Sequence, residues 1–540
     1  MEEQNQQDST EVTCPSCGSA SVNRRGRPNA LLAPHRWRYS CKACSENFYI
    51  NLSSSDEPTD TEEVEVISDD EPRIRYIRDD EYLSKILSAK KLVITSAINN
   101  SPVDQTFLDT LEVYSRNIGA ELVVVPLIYR KPVVPGAERE PIEFASELEP
   151  YLVDNMLEFS GHPLVIRCET KISPTAANPL SGFDPSSQGR SLVIGHPQVQ
   201  FKNLPRGTTQ KYPATLSTTG AVTIDNYNHS KVGVNAEFNH SLSGIVVELA
   251  DDGEIFTRGL NFDGKGFYDL DRYYTPDGSE EAVADTIITG DSHVRFHDPE
   301  VFEATYGKDG LFKTLAPSKW FIHDVLDFSS QSHWSIRDQF SVYYKYLHDT
   351  AGVEDEVQEA CEFIINNKPA GCTAYVVASN HDMHLDRWIK EVDTRRDPQN
   401  AKVFHYLSYL MYDYMDSHDG NLVGALELFF KDKYKDENDV VFLKETDSFK
   451  VHGIELASHG HNGQGGSRAS IAQFSRLPEK TVTGHSHSNF ILKGAYSVGT
   501  SSVFNMNYVK GASSWDHVHC VIYPNGKRQL VQLRNGKFRA

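Results

Sequence analysis

The stretch Trp320-Phe-Ile-His-Asp-Val-Leu-Asp327 sets three apolar residues directly before a histidine and two aspartates. Its first half reads as a short buried strand, and its second as the loop into which that strand opens. The same grammar recurs four times. Asp285-Thr-Ile-Ile-Thr-Gly290 runs into Asp291-Ser-His293, and Thr373-Ala-Tyr-Val-Val-Ala378 into Ser379-Asn-His-Asp382. Ile454-Glu-Leu-Ala457 precedes His459-Gly-His461, and Lys480-Thr-Val-Thr483 runs into Gly484-His-Ser-His487. Helical patterns at 338–348, 356–366 and 401–415 fill the gaps. Strand, polar loop and helix alternate, which predicts a layered α/β fold with the polar loops at one sheet edge.

The residue types in those loops point to metal chemistry. In-line hydrolysis of a phosphodiester needs a nucleophile at neutral pH and cover for negative charge on the attacking and leaving oxygens. Two cations about 3.5–4 Å apart supply both. A carboxylate can bridge two metals, neutral imidazoles bind them without adding charge, and an Asn carbonyl oxygen completes a shell.

In the order D-x-H, D-x-x-D, N-H-D, H-G-H and G-H-x-H, residues 281–540 resemble the calcineurin-like metallophosphoesterases, a family that includes nucleases of the SbcD kind. The resemblance implies a four-layer α/β/β/α sandwich. It implies that Asp291, His293, Asp324 and His487 hold one metal, that Asp324, Asn380, His459 and His485 hold the other, and that Asp324 bridges them. It further implies attack by a hydroxide between the metals, with His381 facing the scissile phosphate and Asp382 orienting His381. The metals would be Mn²⁺, with Fe²⁺, Zn²⁺ or Mg²⁺ as alternatives. Two positions depart from the pattern: His323 and Ser379 stand where the family has Gly, which puts the local backbone geometry in question. His323 is a candidate substrate contact. So are His461 and Arg468 in the run Gly460-His-Asn-Gly-Gln-Gly-Gly-Ser-Arg468, which either approaches phosphate through its N–H groups or is a plain loop.

Residues 1–52 carry Cys14-Pro-Ser-Cys17 and Cys41-Lys-Ala-Cys44, two C-x-x-C pairs at the spacing of a zinc ribbon holding one structural Zn²⁺. Met1-Glu-Glu-Gln is no signal segment, which favours zinc over disulfides. Arg24, Arg25, Arg27, Arg36 and Arg38, with Trp37 and Tyr39, suit phosphate contacts and base stacking, although ribbons also dock proteins. Residues 53–81 read as an acidic linker, with twelve acids against three arginines between Asp56 and Glu81.

Residues 82–280 read as an α/β module. Lys91-Leu-Val-Ile-Thr95, the periodic stretch 107–114 and Glu121-Leu-Val-Val-Val-Pro126 predict a βαβ unit without a phosphate-binding glycine loop. Further strands are expected at 191–194, 221–224 and 244–249. Residues 517–523 and 528–534 predict a hairpin around Asn525-Gly526.

The 540 residues are 39% apolar with a net charge of −22, and no stretch is long and apolar enough to span a bilayer. That charge excludes a chain whose whole surface binds nucleic acid nonspecifically. The order of ribbon, βαβ module and phosphoesterase is similar to that of the pre-early DNA-degradation proteins of large tailed coliphages. This resemblance implies a Mn²⁺-dependent DNase acting on host DNA in the bacterial cytoplasm. A phosphatase or phosphodiesterase on a small nucleotide or phosphoprotein, and a non-enzymatic nucleoprotein adaptor, are the alternatives. A homo-oligomer is open to either reading, as is a protein partner at the ribbon.

Overall fold

Alternation along six short strands builds the centre of the protein. The computed structural model describes residues 80–131, 140–207, 210–333, 335–506 and 509–540, together with the strands Val22–Gly26, Arg36–Cys41 and Asn47–Asn51. A six-stranded sheet runs in the order Val440–Leu443, Thr373–Val377, Lys319–Ile322, Thr286–Ile288, Val518–Ile522 and Arg528–Gln532. The first four are parallel, and the last two pair antiparallel. Successive side chains point to opposite faces. Ile287, Trp320, Ile322, Ala374, Val376 and Val521 therefore join one core, while Ile288, Phe321, Val377, Cys520 and Ile522 join another. With both faces buried, these strands can be apolar throughout.

Helices cover the first face. In Val353–Asn367, Val353, Val357, Ala360, Cys361 and Ile364 are buried at helical spacing. The helix begins three residues before the expected 356, where Glu354, Asp355 and Glu356 complement the positive end of its dipole.

A ten-stranded sheet covers the second face. It takes five strands from residues 450–497 and five from 156–218, joined where Phe490–Leu492 pairs antiparallel with Gln200–Asn203. Residues on either side of 281 thus share one sheet, and 72–540 form one compact unit. On its outer side the short helix Ile471–Phe474 brings Phe474 against Phe490 and Ala495. The protein is a mixed α/β structure of several sheets, and among the described residues no helix is long and apolar enough to cross a membrane.

The strands Lys91–Ile98 and Glu121–Leu127 are parallel neighbours with the helix Gln105–Ile118 between them. The Asp104 side chain accepts from Phe107 N–H to start that helix, and Gly119, at φ 67°, ends it in the left-handed conformation. Ser243–Leu249 and Ile255–Asn261 complete a four-stranded sheet. The expected strand at 221–224 does not form. Ala221 and Thr223 make isolated bridges to Leu242 and Val103, and Val222 N–H donates to Ser96 O at 2.8 Å. The segment is shared among several neighbours, so no ladder propagates. The hairpin around Asn525-Gly526 forms, with Gly526 at φ 77°.

The strands Val22–Gly26, Arg36–Cys41 and Asn47–Asn51 make an antiparallel three-stranded meander. Cys41 ends the middle strand. Cys14, Cys17 and Cys44, and the linker up to residue 79, lie outside the described residues.

A buried ion cluster ties the four-stranded sheet to its neighbours. Arg258 donates from Nε and Nη2 to Asp269 at 2.7 and 2.9 Å, and from Nη1 to Glu248 at 2.9 Å. Tyr114 and Gln529 donate to the same Asp269 carboxylate. Breaking such a cluster leaves uncompensated charge in the interior. Replacing Arg258 by Met is expected to lower unfolding stability by about 3–5 kcal/mol, read by urea denaturation. A loss below about 1 kcal/mol, the scale of an exposed pair, would show that the cluster is solvated in solution.

Candidate metal centre

The five polar loops converge beyond the ends of the parallel strands. Backbone pairing continues past the strands and fixes the first two loops together. Ser292 N–H donates to His323 O at 2.9 Å, His293 N–H to Asp324 O at 2.7 Å, and Val294 N–H to Val325 O at 3.1 Å. On its other side Asp291 is held by its N–H to Gly499 O and by Ser501 N–H to its own carbonyl.

Four of the seven expected ligands occupy the left-handed backbone region: His293 at φ 41°, Asp324 at 46°, His485 at 68° and His487 at 52°. Such conformations are uncommon outside glycine and gather where a site dictates the geometry. Here they turn each side chain inward. His323 and Ser379 are not among the residues with positive φ, so neither position requires glycine.

Asp291, His293, Asp324 and His487, all buried, bring their ligand atoms within 4.8 Å of one another. His487 Nε2 lies 3.1 Å from Asp291 Oδ2 and 3.1 Å from His293 Nε2. Asp324 Oδ2 lies 3.6 Å from His293 Nε2 and 3.3 Å from His459 Nε2. Asn380 Oδ1 stands 3.1 Å from His459 Nε2 and 3.0 Å from His485 Nδ1. Contacts through Asp324, His459 and Asn380 thus link the seven residues, and His293, Asp327 and His381 form a further group whose ligand atoms lie within 4.8 Å of one another.

Both Asp291 oxygens and Asp324 Oδ2 are buried without a hydrogen bond of good geometry. Buried polar atoms are otherwise almost always satisfied. Carboxylate oxygens and imidazole nitrogens facing one another across about 3 Å fit a divalent cation between them. Burial opposes the charge of Asp324, yet His459 and His381 hold it well below the usual carboxylate range. Burial pushes His485 down to about 4, which keeps it neutral as a ligand must be.

Asp327 stands behind this set. Its Oδ1 lies 3.1 Å from His293 Nδ1, which reserves Nε2 of that ring for a metal. His381 Nδ1 is 3.2 Å from the Asp327 carbonyl and 3.6 Å from its carboxylate. A carbonyl only accepts, so the Nδ1 hydrogen is on that side. Asp382, expected to orient His381, instead accepts from Leu326 N–H and Ser379 Oγ–H, each at 2.8 Å. It grips the loop after Lys319–Ile322, and its carboxyl is pushed up to about 7 by burial and then by Asp324. Asp327 was visible as the last residue of D-x-x-D, but its contact with two rings was not.

His323 is fully buried, its ring 5.4 Å from that of His459 and its pKa lowered to about 4 by burial, which keeps it neutral. It backs the ligands. His461 lies beside them, with Nε2 2.9 Å from Glu445 Oε1, which also accepts from Asn462. The glycine-rich run closes as a loop through an Asn462–Arg468 bridge and Gly463 N–H to Ser467 O, with Arg468 exposed on it. Trp515, not anticipated from sequence, packs its ring 4.1 Å from that of His487.

Over 467 residues the chain is 32% identical to Protein A1 of Escherichia phage T5, covering 84% of this chain and 84% of that protein. It belongs to the Protein A1 family. No family model matches the sequence, and no solved structure matches it. In this family member a buried group of aspartates and histidines is assembled as a candidate metal centre.

Gly484 has no room for a side chain: a Cβ there would lie 2.2 Å from Asp291 Oδ1 and 3.1 Å from His323 Cγ. Gly484→Ala is therefore expected to push Asp291 out of place and lower the bound transition metal, measured by elemental analysis after dialysis. Full metal content in a folded variant would contradict the ligand assignment of Asp291.

Proposed function

We propose that this protein is a two-metal phosphodiesterase acting on DNA, with Mn²⁺ as its metal. The observation that carries the reading is the position of the Asp324 carboxylate, with one oxygen 3.6 Å from His293 and 3.3 Å from His459. One buried anion between two ligand groups is what a bridged pair of cations needs. Asp291, His293, Asp324 and His487 would hold one ion, and Asp324, Asn380, His459 and His485 the other. Metal ions there supply a nucleophile at neutral pH and neutralise charge on the reacting phosphate.

The remaining work falls to side chains. His381 borders both groups, its ring 4.7 Å from that of His293. Asp327 holds its Nδ1–H, so an imidazolium formed on His381 is stabilised by a buried carboxylate. His381 can then deliver a proton to the leaving oxygen. Arg468 on the glycine-rich loop offers a cation to a neighbouring phosphate. DNA as the ester is supported by the likeness of the motif order to SbcD-type nucleases and by the relationship to a phage protein. The cysteine pairs near the N-terminus would hold one Zn²⁺, and their arginines would add nucleic-acid contacts. The host cytoplasm is where such a phage enzyme would meet its substrate.

His381→Ala is expected to keep its bound metal and to lose roughly 10²–10⁴-fold in turnover of linear double-stranded DNA with Mn²⁺. A small chromogenic phosphodiester run alongside separates the substrate classes. Unchanged turnover would remove His381 from the mechanism, and hydrolysis of the small diester alone would redirect the reading to a nucleotide or phosphoprotein.

A further inference from the structure

The helix Gln339–Leu347 is amphipathic in reverse. Phe340, Tyr343, Tyr344 and Leu347 fall at i, i+3, i+4 and i+7, the spacing of a stripe that normally faces a core. Here they are 75%, 67%, 60% and 63% exposed, and no residue of the helix is buried. The half-buried side is Ser341, Val342 and Lys345. Lys345 ties that polar side down, donating from Nζ to Ser335 Oγ at 2.6 Å and Ser330 O at 3.3 Å. A helix this short draws its stability from packing an apolar face, yet this face stays largely exposed, with the His348 ring 4.2 Å from that of Tyr344.

We propose that this stripe is the contact between two copies of the chain, related by a two-fold axis. The area suits it. At roughly 200 Å² per aromatic side chain, the exposed parts of Phe340, Tyr343, Tyr344 and Leu347 amount to about 500 Å², so two copies would bury about 1,000 Å², the lower end for a specific contact. A standard interface buries about 800 Å² per partner. The chemistry suits it too. Chains of net charge −22 repel one another, so two copies can meet only over uncharged surface, and the stripe carries no charge. Nucleic acid would require cations along the stripe, where there are none. In an antiparallel crossing, Phe340 of one copy lies beside Leu347 of the other and the central tyrosines meet, so a single stripe is complementary to itself. Antiparallel helices also bring opposite dipole ends together. Exposed apolar surface of this extent marks an interaction site.

Sedimentation velocity of the full chain tests the assignment, with Phe340→Glu and Leu347→Glu as separate variants. Both residues point to solvent, so folding and metal content should be retained, as checked by circular dichroism and elemental analysis. The expected result is a dimer whose dissociation constant rises about 100-fold or more in each variant, the size of a lost aromatic or aliphatic anchor. A wild-type chain that remains monomeric at every concentration would overturn it. So would an oligomer that neither variant weakens, or a monomer whose DNA binding is lost in Phe340→Glu, which would give the stripe to nucleic acid.

Discussion

A carboxylate cannot stay ionised inside a protein without compensation, and the organisation around Asp324 follows from that constraint. Asp324 is 1% exposed, and Asp291 beside it is fully buried. Two anions in one interior site repel each other, and no arginine or lysine stands within ion-pair distance of either among the described residues. The compensation comes from histidines, each contributing a nitrogen to the same small volume. Such an arrangement suits a ligand set, in which bound cations would add to the positive charge the histidines supply. The backbone follows suit: His293, Asp324, His485 and His487 accept positive φ, and Gly484 gives up its side chain so that Asp291 can enter.

The residues gathered at the candidate centre could be named from the sequence because each is of a metal-binding type and follows a short strand. Each lies within a few residues of the end of a short, largely apolar strand, a position that falls at the edge of a sheet. The supports were not legible, because their roles depend on contacts between distant segments. Asp327 looked like any second acid of a motif until folding set it between His293 and His381. Asp382 sits next to His381 in sequence and was expected to serve it, yet it turns to Leu326 N–H some 56 residues away. Neighbours in a loop need not be neighbours in space.

The same distinction governs the fold. Strands buried on both faces, such as Lys319–Ile322 with its run Trp-Phe-Ile, are largely apolar and easily read. Gln200–Asn203 has the sequence Gln-Phe-Lys-Asn, with one apolar residue and no usable alternation, yet it is the strand that joins the two halves of the ten-stranded sheet. Its partners are fixed by register, not by its own composition. Gln339–Leu347 is the converse case: its helical period is plain in the sequence, but period alone does not say whether the stripe meets a core or water.

The joined sheet bears directly on the candidate metal centre. Asn203 Nδ2 donates to Asn489 Oδ1 at 2.6 Å and Ser514 O at 3.0 Å, and Arg206 donates to Ser513 O and Trp515 O at 3.2 and 2.9 Å. Arg206 is itself 7% exposed, with its guanidinium 4.3 Å above the Phe504 ring. These bonds fix the segment 513–515, and Trp515 is the wall against which the His487 imidazole rests. A ligand ring left without such a wall would sample several rotamers and bind metal less well, since ordering it would then be charged to binding. Residues 200–206 carry no ligand and no catalytic side chain. They nonetheless set the orientation of His487, which is a physical reason for the residues before 281 and the half that carries the candidate centre to share a continuous sheet.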